Sequence, residues 1–278
     1  MDYTQITYDT ADRVACVSLN RPEYRNPIGR ITVEELDNAF ERAVADSDVG
    51  VILLRAEGQH FSAGHDLGTP AKIRDDEERP YRPGGRGQFE RSWEIYIDPG
   101  LRWRNLPKPT IAAVQGYCIW GGWMVATAMD IVFATEDARF LGSKFQYFSV
   151  PWDIGIRKAK EVLFEARFIS GREAQQLGFV GRVFATKEEL DDETLAYAKR
   201  VAQQDEFALR MTKYAINQAQ DAQGYSNTIV TAHNMQAGGG SGGNGARSQG
   251  YSLPSGERRV APVQRALDNL EAATGLLP

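Results

Sequence analysis

At 278 residues, 42% of them hydrophobic, the chain can bury one large core or a core with a smaller appendage, which excludes wholesale disorder. Its net charge of −5 argues against nucleic acid as a main partner, and no run approaches the roughly 18 apolar residues that cross a bilayer. The start of the chain lacks a basic stretch followed by an apolar one, so no secretory signal and no membrane partner are expected, and the expected location is cytoplasmic.

In chain order, Val14–Leu19 reads as a strand that stops at Asn20-Arg21-Pro22. Thr32-Val33-Glu34-Glu35 has the form of a capping box and predicts a helix over 33–45. Residues 49–55 form a buried strand by pattern. Residues 68–88 are charged and rich in Pro and Gly, and read as a loop or mobile segment. Phe89, Trp93, Tyr96, Ile97 and Leu101 recur near the helical period, with Pro99-Gly100 expected to disturb the helix. Thr110–Val114 reads as a strand, 122–129 as a helix and 131–134 as a strand. Ser170-Gly171-Arg172-Glu173 forms a second capping box, opening a helix that stops at Gly178. A strand over 179–184 and helices over 187–203 and 206–220 follow. Gly-Gly-Gly-Ser-Gly-Gly-Asn-Gly at 238–245 has the composition of a flexible linker, native or engineered, and 260–270 could form a last amphipathic helix. Alternating strands and helices, then helices alone, give an α/β core with a helical C-terminal region. Cys16 and Cys118 lie in apolar runs and read as small buried hydrophobes rather than a disulfide pair.

Two glycine turns carry the chemistry. Gly58-Gln59-His60-Phe61-Ser62-Ala63-Gly64-His65-Asp66-Leu67 and Gln115-Gly116-Tyr117-Cys118-Ile119-Trp120-Gly121-Gly122-Trp123-Met124 each follow a strand-like run. Glycine beside small residues lets backbone N–H groups approach a ligand, and two such turns could aim two donors at one oxygen. Gly121-Gly122 opens a helix, where free donors and the dipole favour negative charge. One well-placed donor to a developing oxyanion lowers a barrier by about 3–4 kcal/mol. Tight packing of a helix on a strand would need the same glycines.

These motifs resemble the crotonase, or enoyl-CoA hydratase/isomerase, superfamily. The resemblance runs through Leu19-Asn20-Arg21-Pro22, residues 58–67, 107–116 and 121–130, Ala138-Arg139-Phe140, Gly171-Arg172-Glu173-Ala174 and Leu177-Gly178-Phe179-Val180. It covers about residues 5–220. It implies a spiral of ββα turns over 1–205, and over 206–278 a helical region that drives homotrimers, often paired into hexamers. It implies an acyl-CoA thioester as substrate, with coenzyme A entering only as part of that substrate and no further cofactor. By motif position the thioester oxygen would be held by the backbone N–H groups of His65 and Gly121. Ala63, Asp66, Leu67, Trp120 and Met124 would line the same site, and Arg25 would stand near the CoA phosphates. A lysine expected soon after the first turn is replaced by Gly68-Thr69, with Lys72 as a substitute.

The sequence departs from the hydratases at both acids. Met124 and Lys144 stand where two glutamates would share the proton chemistry. Methionine transfers no proton; a buried lysine could act as a base. Asp153, beside Trp152, resembles an active aspartate of isomerases, dehalogenases and C–C hydrolases in the superfamily, and is the first candidate for proton transfer, ahead of Lys144 and the His65 side chain. Glu94 reads as a solvated helix charge. With three scattered histidines, no metal site is expected. Three functions fit: an acyl-CoA enzyme of hydratase/isomerase type, an isomerase or hydrolase of a thioester or β-diketone C–C bond using Asp153, and a non-catalytic acyl-CoA-binding or scaffold protein.

Overall fold

A computed structural model describes residues 1–240 and 262–274. Its strands are β1 (Ile6–Ala11), β2 (Val14–Leu19), β3 (Val51–Ala56), β4 (Thr110–Val114), β5 (Tyr117–Ile119), β6 (Ile131–Thr135), β7 (Arg139–Leu141), β8 (Ile169–Ser170) and β9 (Arg182–Phe184). Its helices are α1 (Arg30–Ala45), α2 (Pro70–Glu78), α3 (Gly84–Ser92), α4 (Asp98–Arg104), α5 (Gly121–Thr127), α6 (Val150–Asp153), α7 (Ile156–Glu165), α8 (Gly171–Gln176), α9 (Lys187–Val201), α10 (Glu206–Ala222), α11 (Tyr225–Gly240) and α12 (Pro262–Thr274).

Six strands form one sheet in the order β1-β2-β3-β4-β6-β9, antiparallel only at the β1–β2 hairpin. Strands buried on both faces read as near-continuous apolar runs, and β3 and β4 supply them apart from Arg55 and Thr110. Val17, Ile52, Leu54 and Val114 face a core shared with Leu36 and Phe40 of α1. Val14, Leu53, Ile111 and Phe133 face the other way, under Leu190 and Ala198 of α9. A second sheet, β5-β7-β8, packs Ile119, Leu141 and Phe168 against Ala266 and Leu270 of α12. The chain visits the large sheet, then the small sheet, then a helix: β4-β5-α5, then β6-β7-α6-α7. Residues 51–65 make the same visit, because Ser62 bridges Cys118 of β5.

Several sequence expectations are corrected. The helix over 33–45 begins earlier, capped at Gly29, and Thr32 instead lies in its first turn. Glu35 does not close a capping box. It accepts hydrogen bonds from the N–H groups of Thr4, Gln5 and Ile6, which holds β1, a strand that periodicity missed. Residues 68–88 form α2 and α3 rather than a loop. Thr69 caps α2 and Pro70 fits its first turn, while Arg30–Asp75 at 3.3 Å and Arg79–Glu34 tie the segment to α1. Charges that look solvating in sequence are thus paired within the fold.

Pro99-Gly100 does not break the helix. A π-turn at Trp93–Ile97 absorbs the register change, and Pro99 sits in the first turn of α4, where its missing N–H costs nothing. Gly100 is needed for approach: a Cβ there would lie 2.4 Å from the Tyr147 ring. In the second box Ser170 does cap α8, but Glu173 turns away to a bidentate pair with Arg167. The strand over 179–184 shortens to β9. Helix α11 has no counterpart in the sequence reading and takes in Gly238–Gly240 of the glycine-rich run, whose remainder lies outside the described residues. Cys118 is buried, whereas Cys16 is only half-buried.

Candidate active site

The first glycine turn leaves β3 and is stitched to its surroundings by the backbone. Phe61 N–H donates to Gln115 O, Ser62 N–H to Tyr117 O and Ile119 N–H to Ser62 O. On its other side, Ile28 N–H donates to Gly64 O at 2.7 Å and Asp66 N–H to Ile28 O at 2.9 Å. In a parallel bridge the residue between those two bonds directs its own N–H away, so the His65 N–H turns away from Ile28.

The second turn arrives through Trp120, whose φ of 41° and ψ of −97° are unusual for a bulky residue. Trp120 N–H donates to Leu141 O, and its carbonyl accepts the first helical bond, from Met124 N–H. The N–H of Gly121 therefore stands free of the helix ladder at the start of α5. The two turns touch. Gly64 has φ +99°, and a Cβ on it would lie 2.8 Å from Ile119 O and 3.7 Å from Gly121 N. A Cβ on Gly121 would lie 2.8 Å from His65 Nδ1. Among the described residues neither the His65 nor the Gly121 N–H has a backbone acceptor.

The His65 ring lies against Tyr96, 4.2 Å between centroids, and its Nε2 meets Gln146 Oε1 at 2.7 Å. Burial pushes the imidazole down to about 4, aided by the charge of Arg91 and opposed by the Gln146 bond. The ring is thus neutral at pH 7. With Nε2–H donating to Gln146, Nδ1 is the acceptor, and it is buried without a partner among the described residues. A cleft of about 250 Å³ opens beside it, bounded by His65, Tyr96, Gln146, Phe89, Ser92 and His233. Larger hollows of about 590 and 670 Å³ lie elsewhere and include neither His65 nor Gly121.

The other candidate residues are placed as follows. Asp153 lies against the helix that Gly121 begins: Oδ1 accepts from Thr127 Oγ1, and Oδ2 from Trp123 Nε1 and Ser149 Oγ, each at 2.7 Å. Burial pushes its carboxyl up to about 6 against the pull of those three donors. It does not border the cleft beside His65. Met124 is buried in the main core. Lys144 is exposed, not buried as a lysine base would need. Arg25 is exposed, and its carbonyl accepts from Ala63 N–H at 2.8 Å.

Asp66 is buried with Arg21 at 3.1 Å and accepts from Gly68 and Thr69. Burial pushes its carboxyl up, but those bonds outweigh it and hold the group below the usual range. Leu67 is exposed beside the cleft, and Trp120 is half-buried against the small sheet. Lys72 is paired with Asp76, and Glu94 is exposed, 3.8 Å from Arg30. Gln146, Ser92 and His233 were not singled out by sequence. None carries a motif, and His233 reaches the cleft only because α11 packs on α3 and the π-turn.

The enoyl-CoA hydratase/isomerase family model matches residues 9–237. The chain is 38% identical over 246 residues to EchA13 of Mycobacterium tuberculosis, a protein provisionally named an enoyl-CoA hydratase, covering 81% of this chain and 77% of that one. A crystal structure from Mycobacterium thermoresistibile, provisionally described as an enoyl-CoA hydratase, superposes with a TM-score of 0.77 at 40% identity, covering 86% of this chain and 97% of that one. A crystal structure of an enoyl-CoA hydratase/isomerase from Xanthobacter autotrophicus Py2 gives 0.75 at 31% identity, with 87% and 89% covered.

Proposed function

Because the chain belongs to the enoyl-CoA hydratase/isomerase family and has the crotonase fold, we propose that it binds an acyl-CoA thioester and polarises its carbonyl between the His65 and Gly121 N–H groups. The observation that supports this reading is the contact of the two glycine turns, together with the lack of a backbone acceptor for either N–H among the described residues. A thioester oxygen placed there gains charge as the acyl α-carbon loses a proton, and preorganised donors favour that charged form over the ground state. Arg25, exposed at the edge of the first turn, would be the basic residue offered to the CoA phosphates.

The test is spectroscopic. The carbonyl stretch of bound hex-2-enoyl-CoA should move to lower frequency than in water, and Gly121→Ala should abolish the shift. Alanine keeps the N–H, but its Cβ would stand 2.8 Å from His65 Nδ1 and displace the two turns, so kcat/KM should also fall by about 100-fold, as when one oxyanion donor is lost. A bound thioester with an unshifted carbonyl defeats the reading.

A second reading concerns the reaction that follows. Without acids at 124 and 144, simple hydration lacks its carboxylate pair. Asp153 lies against α5 but outside the cleft beside His65, so isomerisation or hydrolysis with this single aspartate as base requires its carboxylate to turn from Trp123, Thr127 and Ser149 toward the acyl group. Its ionised form would be the active one, so kcat/KM should rise through pH 6 and Asp153→Asn should remove that limb along with most activity. Thioester binding with no turnover in any of these reactions would leave a binding or scaffold role.

The assembly belongs to the same proposal. Phe207, Met211 and Tyr214 are exposed at helical spacing along α10. An apolar stripe of that kind on a C-terminal helix supports a homotrimer or a pair of trimers.

A further inference from the structure

Buried polar atoms in a folded protein are nearly always hydrogen-bonded, so the few that are not mark places where something else supplies the bond. Nine such side-chain atoms occur among the described residues, and five belong to residues of the His65 cleft: His65 Nδ1, Ser92 Oγ, His233 Nδ1 and Nε2, and Gln236 Oε1. The concentration is not a feature of one element. His65 comes from the first glycine turn, Ser92 from the end of α3, and His233 and Gln236 from α11.

His233 is the sharpest case. It is 1% exposed, and its ring is held between Phe89 and Trp93, with centroids at 4.7 and 5.6 Å. Burial lowers its basicity, so the ring is neutral at pH 7, with one nitrogen as donor and the other as acceptor. A core histidine with no role would still need partners for both. His65 Nδ1 and Gln236 Oε1 add acceptors only, and Ser92 Oγ can act either way. Acceptors therefore outnumber donors, and the group that completes them must bring hydrogens to donate and an acceptor for the His233 N–H, both of which a hydroxyl supplies. At about 250 Å³ the cleft is below the size of a drug-like pocket and suits a short group. Phe89 and Tyr96 supply apolar walls for its carbon skeleton.

Resting on the thioester reading above, we propose that the acyl group accepted by this chain carries a hydroxyl, and that His233 is the specificity-determining residue that hydrogen-bonds it. A plain alkenyl chain would fill the cleft while leaving these atoms unpaired. A site built to bond a hydroxyl rejects the analogue without it far more strongly than an apolar pocket discriminates a methylene.

Two matched pairs of probes test this: hex-2-enoyl-CoA against 6-hydroxyhex-2-enoyl-CoA, and cinnamoyl-CoA against 4-hydroxycinnamoyl-CoA. Dissociation constants, and kcat/KM where turnover occurs, are measured for the full-length protein. The hydroxylated member of at least one pair should be favoured tenfold or more. His233→Phe, which keeps the ring and loses both nitrogens, should reduce that ratio at least tenfold. His233→Gln, which keeps a donor and an acceptor, should retain part of it and guards against a simple loss of folding. Equal binding of both members of both pairs, or a preference that survives His233→Phe, overturns the proposal while leaving the thioester reading intact. Failure of every CoA ester to bind overturns both.

Discussion

Asp153 shows how one residue's surroundings set its chemistry. Its carboxyl is raised to about 6 in the fold, against about 3.9 in an unfolded chain. The folded state therefore holds the proton more tightly. The resulting stabilisation is complete below about pH 4 and is lost as pH rises through 6, on the order of 3 kcal/mol in all. Asp153→Asn cannot ionise, so the stability difference between variant and wild type should shift toward the variant by that amount between pH 4 and 7.5. Denaturant titrations at the two pH values measure it; a difference that does not change with pH would mean that the carboxyl keeps its ordinary acidity. His65 is the opposite case. Burial and Arg91 keep its ring neutral, which makes it a weak base and a good hydrogen-bond acceptor. Met124 and Lys144 were informative in sequence as absences, since neither side chain can replace a glutamate.

At the scale of elements, local signals were legible where a segment makes its own bonds and misleading where it bonds elsewhere. The strands β2 and β4 are apolar apart from Ser18 and Thr110, and their bounds, Val14–Leu19 and Thr110–Val114, can be read from the sequence. Thr32 to Glu35 has the letters of a capping box, yet Glu35 is the anchor of β1. It is 2% exposed and accepts from Thr4 N, Gln5 N and Ile6 N at 2.8–3.1 Å, and from Thr4 Oγ1. Glu35→Ala leaves those N–H groups without an acceptor and should cost about 3 kcal/mol or more, since each buried unsatisfied donor costs about 1–3. Hydrogen exchange of β1 should rise ahead of the rest of the sheet. Uniform protection in the variant would show that the hairpin with β2 suffices. Helix α2 was hidden for a related reason: Asp75 and Arg79 pair with Arg30 and Glu34 of α1, outside any local window.

On the scale of the whole molecule, the glycine turns meet because β3 and β4 are neighbours in one sheet and Ser62 bridges β5 in the other. The contact of the turns is thus a product of the spiral and not of either turn. The surface stripe on α10 belongs to this scale too. Sedimentation should give a trimer or hexamer, and Phe207→Glu combined with Met211→Glu should dissociate it, because charges on that face would have to be buried. A monomeric wild-type protein at micromolar concentration would show that the stripe has another purpose.

By itself the sequence determined the family, the α/β core, the two turns and the loss of both glutamates, because these are written in contiguous residues and their spacing. Tertiary structure alone decided what faces the turns. It enclosed Asp153 in three donors, left Lys144 in solvent, and brought His233, 168 positions after His65, to the same cleft. Those outcomes depend on which side chains share a small volume, and packing of distant elements, rather than any local pattern, sets that.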